Sequence, residues 1–226
     1  MENKKLAIIT YDHPHQKTQD LVCRLKLNGY DDLTLIVLPW EQRKRSTPLY
    51  LHRPDNPVSI TTAEFCERFR MTHFFCGYDT LDKHFSNNKY DNILIGGAGI
   101  LPKEVIKYNI INSHPGYVPN VRGLDALKWA ILKGLPIAVT THFIREEPDL
   151  GILIDREIVP LSFTDTFHSV ARRHYELEID MLVESITKIP DGKELHEKMG
   201  YPLNQRMSHR DELVMMKRFQ RLIDGL

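Results

Sequence analysis

Cysteine is scarce. The three present, Cys23, Cys66 and Cys76, are odd in number and none falls in a Cys-x-x-Cys pair. A disulfide framework or a cysteine-built zinc site is therefore not expected, and a reducing compartment fits better. The sequence has no apolar run of about twenty residues, and "MENKK" leads straight into a strand-like run with no apolar leader region. It has no charge excess either: thirty Lys and Arg balance thirty Asp and Glu over 226 residues. A nucleic-acid binder usually carries a basic surplus, so the balance argues against one. Repeats and low-complexity segments are missing too. What survives these absences is a cytoplasmic globular chain with no membrane or nucleic-acid partner. The expectation is one large domain over 1–190 and an extension over 191–226 that ends in a helix.

What is present is an alternation of strands and helices. "LAIIT" (6–10) reads as a fully buried strand and is followed by the polar turn "YDHPHQ". "TQDLVCRLKLNG" (18–29) has helical spacing at Leu21, Val22 and Leu25, with Gly29 as its stop, and "LTLIVLPW" (33–40) is a second strand. This opening predicts a βαβ unit, and with it an α/β fold: a Rossmann-like, doubly wound, mostly parallel sheet with flanking helices. Residues 42–59, rich in Pro and charge, read as a surface loop, and Thr61 and Glu64 have capping-box spacing before a helix over 62–70. "HFF" (73–75) is a short strand, and "DNILIGGAG" (91–99) is a strand entering a glycine loop. Pro102 suits the first turn of the helix "PKEVIKY". "NIINSH" (109–114) is the next strand, and 123–133 an amphipathic helix stopped by Gly134. "IAVTTHFI" (137–144) and "GILIDREIVP" (151–160) are strands joined by "REEPDL"; the second alternates more cleanly, which suits a place near an edge. Residues 164–188 form one long helix, with Phe167, Val170, His174, Leu177 and Met181 on its stripe. A last helix starts at Ser208. Its apolar Leu213, Met216, Phe219 and Leu222 suit packing on its own domain or on a second copy, as in a homodimer.

Some polar residues stand where such a fold binds ligands. "GGAG" suggests a dinucleotide loop, but Pro102 stands where that fingerprint needs a small residue, and no acidic residue follows the second strand at the right distance. The loop's bare backbone can still read a flat heterocycle. His13 and His15 flank Pro14 in the first strand–helix turn and lack a third metal ligand nearby, so substrate contact fits them better than metal. His142, in an alternating strand, reads as a structural histidine. Asn112 and His114, two residues apart on a strand, share a face at its carboxyl end. Taken alone they fit a capped turn as well as a site. Asp149, in "EEPDLG", is placed to orient His114, and amide, imidazole and carboxylate together suit a developing oxyanion while a proton moves.

"NSHPGYVPNVRG" followed by "VTTHFIREEPDLGILIDREIVPL" resembles the 10-formyltetrahydrofolate-dependent formyltransferases, with the match running over about 91–175. That family's Asn-x-His-Pro, Thr-x-His and Asp-Gly pattern falls on Asn112, His114, Pro115, Thr140 or Thr141, His142, Asp149 and Gly151. Many relatives read "SLLP" after the histidine where this chain has "GYVP", a departure that reshapes the acceptor side. The resemblance implies a formyltransferase-type fold, with Asn112, His114 and Asp149 catalytic and no metal. It also implies 10-formyltetrahydrofolate as donor, held largely through backbone at Gly97, Ala98, Gly99, Ile100 and Leu101, with Thr140, Glu146 and Glu147. On the acceptor side the candidates are Tyr11, His13, Tyr117, Arg122 and Lys128. Arg122 and Lys128 would contact a pyrophosphate; a solvated or structural role is equally open for both.

Within the family, methionyl-tRNA formyltransferases carry a further carboxy-terminal barrel and a basic face, and glycinamide ribonucleotide transformylases carry a glycine-rich phosphate loop where this chain reads "TYDHPHQKT". The remaining branch formylates nucleotide-linked amino sugars for surface glycans. "VRGLDALKW", Tyr117 and the tail "RMSHRDELVMMKRFQRL" most resemble that branch, the acceptor then being a UDP-linked 4-amino-4,6-dideoxy sugar. Two alternatives stand beside it. One is a formyltetrahydrofolate hydrolase, whose members usually carry an N-terminal domain ahead of the first strand; the other is a non-catalytic folate or nucleotide-sugar binding domain.

Overall fold

The computed structural model describes residues 4–41 and 47–226, so residues 42–46 of the expected 42–59 loop lie outside the described residues. Eight strands form one sheet: β1 Leu6–Tyr11, β2 Leu33–Leu38, β3 Thr72–Phe75, β4 Asn92–Ile95, β5 Ile110–His114, β6 Ala138–Ile144, β7 Gly151–Ile158 and β8 Glu194–Leu195. Their order is β3-β2-β1-β4-β5-β6-β7-β8. The first five run parallel, and β6, β7 and β8 join antiparallel. The helices are α1 Gln16–Leu27, α2 Thr62–Arg68, α3 Leu81–Asn87, α4 Ala126–Lys133, α5 Phe167–Glu184 and α6 His209–Asp224.

The continuous apolar runs of β1 and β2 follow from cover on both faces. Leu6, Ile8, Leu35, Val37 and Ile111 pack under α1 and α5 against Leu21, Leu25, Ile179 and Leu182. Ala7, Ile9, Ile36, Ile93 and Ile110 pack on the other face against Leu81 and Phe85 of α3 and against Val105. Chain order reverses at β1, between β2 and β4, which makes the carboxyl ends of these strands the natural ligand side.

Several local expectations are corrected. The segment after Pro102 is a 3-10 turn over Lys103–Tyr108, closed by Asn109 in the left-handed region, and Pro102 precedes it instead of opening an α-helix. Helix α4 starts at Ala126, later than position 123, because Gly123 (φ +85°) and Asp125 (φ +51°) are left-handed. The inner face of α6 is Glu212, Met215, Phe219 and Ile223, while Leu213 and Leu222 are exposed. Met215, Phe219 and Ile223 form one apolar stripe at helical spacing, and Glu212 on the same stripe meets the buried Lys128 of α4. Strand β8 escaped the sequence reading because two residues carry no period. The segment after residue 190 therefore adds a strand to the sheet, a bridge from Asn204 to Gly123, and a helix packed on α4. Among the described residues, no helix is long and apolar enough to cross a membrane.

Candidate active site

The site forms where β5 ends. In the β5–β6 ladder Asn112 lies opposite His142 and His114 opposite Thr140. Directly opposed residues share a face, so these four side chains line one side of the sheet. Ser113 and Thr141 line the other and bond each other through their hydroxyls at 3.0 Å. This alternation decides between the two threonines: Thr140, not Thr141, shares the face with His142.

The β6–β7 turn delivers Asp149, whose backbone is left-handed (φ +60°), a region in which aspartate is several-fold enriched among non-glycine residues. Its Oδ1 lies 3.1 Å from His114 Nδ1, and its Oδ2 accepts the Gly123 N–H at 2.6 Å. Burial alone would raise this carboxyl. The His114 ring and the Gly123 N–H outweigh it and hold the group well below the usual carboxylate range. The second ring nitrogen of His114, Nε2, faces the Val121 carbonyl at 3.1 Å. Both nitrogens thus meet acceptors, and the ring is sealed, 4% exposed. Asn112 is half-buried and its amide makes no side-chain hydrogen bond among the described residues.

His142 is not the satisfied structural histidine of the sequence reading. It is fully buried, its Nδ1 lies 3.3 Å from the Phe143 carbonyl, and its Nε2 has no partner among the described residues. Burial lowers it to about 4, against the opposing pull of Asp149, so it is neutral beside the dyad.

The glycine loop lies beside the first strand–helix turn. The Gly96 and Gly97 N–H groups both bond the Ile9 carbonyl, and a Cβ at Gly97 would lie 2.7 Å from the His15 ring, so glycine is what permits this approach. Gly99 N–H bonds the Tyr78 hydroxyl at 3.0 Å, and Ile100 is exposed. Ala98 and Leu101 are half-buried against the α3 cluster. Glu146 and Glu147 are exposed, and Thr140 is internal, taking the Val118 N–H and giving its hydroxyl to the Gly116 carbonyl. His13 stacks on Trp40 at 5.0 Å and Tyr11 meets Trp40 edge-on at 4.8 Å, an aromatic group at the carboxyl ends of β1 and β2.

Two acceptor-side expectations are displaced. Lys128 is fully buried and paired with Glu212, and Arg122, 2% exposed, spends its guanidinium on the Pro148 carbonyl and Glu197. A pyrophosphate cannot reach either without unpicking these bonds. Tyr117 remains near the site face, its ring under the Arg156 guanidinium at 4.3 Å. Arg156 was missed; its place opposite Thr140 puts it on the same face, which "GILIDREIVP" could not show without the pairing register.

The doubly wound sheet thus carries an amide, an imidazole and a carboxylate at the carboxyl end of one strand. The profile described as "Formyl transferase" matches residues 5–186, and the chain belongs to the formyl transferase family. Proteins of this family take their formyl group from 10-formyltetrahydrofolate. A methionyl-tRNA formyltransferase from Fusobacterium nucleatum is 34% identical over 130 residues, covering 55% of this chain and 42% of that protein. Another, from Caldanaerobacter subterraneus, is 23% identical over 215 residues, 90% of this chain and 68% of that protein. The chain thus spans less than half the length of the first relative. A sugar N-formyltransferase structure from a Shewanella species has the same fold, with TM-score 0.59 at 16% identity, over 95% of this chain and 87% of that one.

Proposed function

We propose that the chain transfers a formyl group from 10-formyltetrahydrofolate to the amine of a nucleotide-linked amino sugar. The observation that carries the reading is the His114–Asp149 contact at 3.1 Å beside Asn112, at the carboxyl end of β5. The donor fits the residues present: the Ala98, Ile100 and Leu101 N–H groups make no hydrogen bond among the described residues, the 146–149 turn is exposed at Glu146 and Glu147, and both suit backbone recognition of a pterin.

In the reaction the acceptor nitrogen bonds the formyl carbon and the carbonyl π pair moves to oxygen. Asn112 Nδ2 donates to that oxyanion, and His114 donates its Nε2 hydrogen, giving up the Val121 carbonyl to do so. Asp149 holds the ring and helps carry the proton from the attacking nitrogen to the folate nitrogen. The carbon–nitrogen bond to folate then breaks, leaving a formamide and tetrahydrofolate. Each oxyanion donor is expected to contribute on the order of 10²–10³ in turnover.

Two features support a small acceptor with a flat base. Charge is balanced, and Arg122 and Lys128 are buried in pairs, so they supply no basic face for a nucleic acid and equally no pyrophosphate contact. The exposed His13 ring, at the carboxyl end of β1, offers its outer face to a base. The test combines the protein with 10-formyltetrahydrofolate and UDP-, dTDP- and GDP-linked amino sugars, water alone, and charged methionyl-tRNA. Tetrahydrofolate release that requires an amino sugar, with the sugar gaining one formyl group, is the expected result. Release with water alone would make the chain a hydrolase, and release only with the tRNA would move the acceptor class.

A further inference from the structure

We infer that the carboxy-terminal segment completes the site, with Asn204 as a positioning residue for Asp149 and through it for His114. The inference rests on the proposed formyl transfer and goes past it by assigning a role to residues after position 190.

Asn204 grips one turn of chain from both ends. Its backbone N–H and its Nδ2 both donate to the Arg122 carbonyl, at 3.0 and 2.7 Å, and its own carbonyl accepts the Leu124 N–H at 2.9 Å. Lys133 Nζ donates to its Oδ1 at 2.6 Å. Asn204 is 6% exposed, so these bonds form away from water. The residue held between them is Gly123. Its φ of +85° and the 2.3 Å between an added Cβ and the Asn204 carbonyl explain why no side chain stands there. This pinned Gly123 N–H is the one that donates to Asp149 Oδ2.

A second strut reaches the same aspartate from its other side. Arg122 Nε and Nη2 donate to the carbonyl of Pro148, at 3.1 and 3.0 Å, and its Nη1 pairs with Glu197 of the segment at 3.2 Å. Leu195 of β8 packs with Leu150 and Val118. The segment thus meets residues 148–150 directly at Leu195–Leu150 and indirectly through Gly123 and Arg122, and Asp149 Oδ1 is left aimed at His114. No group of the segment is shown touching the reacting atoms, so its effect travels through placement alone. A carboxylate misplaced by about 1 Å can cost on the order of 10²-fold in rate.

The test uses the full chain with Asn204→Ala, which removes both side-chain bonds, and Asn204→Asp, which keeps the Lys133 contact but sets a carboxylate oxygen against the Arg122 carbonyl; both keep the backbone grip. Two quantities are read: the imidazole nitrogen and proton resonances of His114, assigned by their loss in His114→Asn, and kcat and KM for the donor. The expected result is a shifted His114 signal and kcat lowered about 10- to 100-fold with donor KM nearly unchanged, Asn204→Asp being at least as impaired as Asn204→Ala because its carboxylate repels the Arg122 carbonyl. A His114 signal shifted in the variants, beside a wild type that transfers no formyl group, would support the placement and overturn the reaction. Folded variants with both His114 signal and kcat unchanged would overturn the placement. Loss of thermal stability in both variants without any change in the His114 signal would also overturn it, leaving Asn204 a merely structural residue.

Discussion

Two buried contacts, His114–Asp149 and Lys128–Glu212, each hold a carboxylate against a nitrogen base and differ in what they leave over. Lys128 and Glu212 have side chains 0% and 1% exposed, and the second Glu212 oxygen takes the Leu49 N–H at 2.6 Å. The pair ties α4, α6 and the 47–53 stretch together and is spent in doing so. His114 and Asp149 are also buried, at 5% and 18% for their side chains, but they stand beside the half-buried Asn112 amide, which makes no side-chain hydrogen bond among the described residues. A buried charge is common to both; only one pair has hydrogen-bonding capacity next to it for a ligand. Glu178 belongs with the first kind. It binds Lys17 at 2.7 Å and Arg53, and although burial would raise it, these two cations bring it down to about 2.

The comparison can be broken first at the site. His114→Asn and Asp149→Asn should each lower turnover by on the order of 10²–10³, and His114→Asn, which leaves the Asp149 carboxylate without its partner, should cost stability as well; steady-state rates per folded protein and melting curves on one preparation check this. At the sealed pair only stability should change. Lys128→Met strands Glu212 and should cost about 3–5 kcal/mol of stability, measurable by urea unfolding, with activity of the folded fraction unchanged. Replacing both partners, Lys128→Met with Glu212→Leu, should recover most of that loss.

A pH scan separates a further group. His142 and His174 are 0% and 3% exposed, and burial lowers each to about 4 from an ordinary 6.5. Between those values the unfolded chain binds their protons and the folded chain does not. Stability should therefore be flat above pH 6.5 and fall from there to about pH 4, by up to about 1.4 kcal/mol per pH unit for each histidine. Melting temperature against pH checks it, and His174→Gln should flatten part of the slope. The smallest effect is at a cap: Thr166 accepts the Ser169 N–H at the start of α5, and Thr166→Ala should cost about 1 kcal/mol without touching turnover.

Much of this molecule could be read before its structure. The doubly wound sheet, the long α5 and the tail helix from Ser208 follow from apolar spacing and caps, which are local. Asn112 and His114 were legible as a pair because a period of two is also local, and Asp149 joined them through a loop between neighbouring strands. For Lys128 and Arg122 pyrophosphate contact and a structural role both stayed open, because their partners, Glu212 and Glu197, come 84 and 75 residues later, a distance over which no local period speaks. Arg156 and Asn204 were missed for the same reason. One is placed by cross-strand register and the other by an isolated bridge to Gly123. On α6 two apolar stripes compete in the sequence, and the one through Met215, Phe219 and Ile223, which also carries Glu212 to Lys128, faces inward in place of Leu213 and Leu222.

The central claim is that Asn112, His114 and Asp149 move a formyl group from folate to an amine. Single-turnover tetrahydrofolate formation, followed with an amino-sugar nucleotide present and absent in wild type and Asp149→Asn, tests it most directly. The account predicts acceptor-dependent formation in the wild type, and a rate lower by on the order of 10² or more in a folded variant that still binds the donor. Equal rates in the two proteins, or none in a folded wild type with any acceptor, would contradict it.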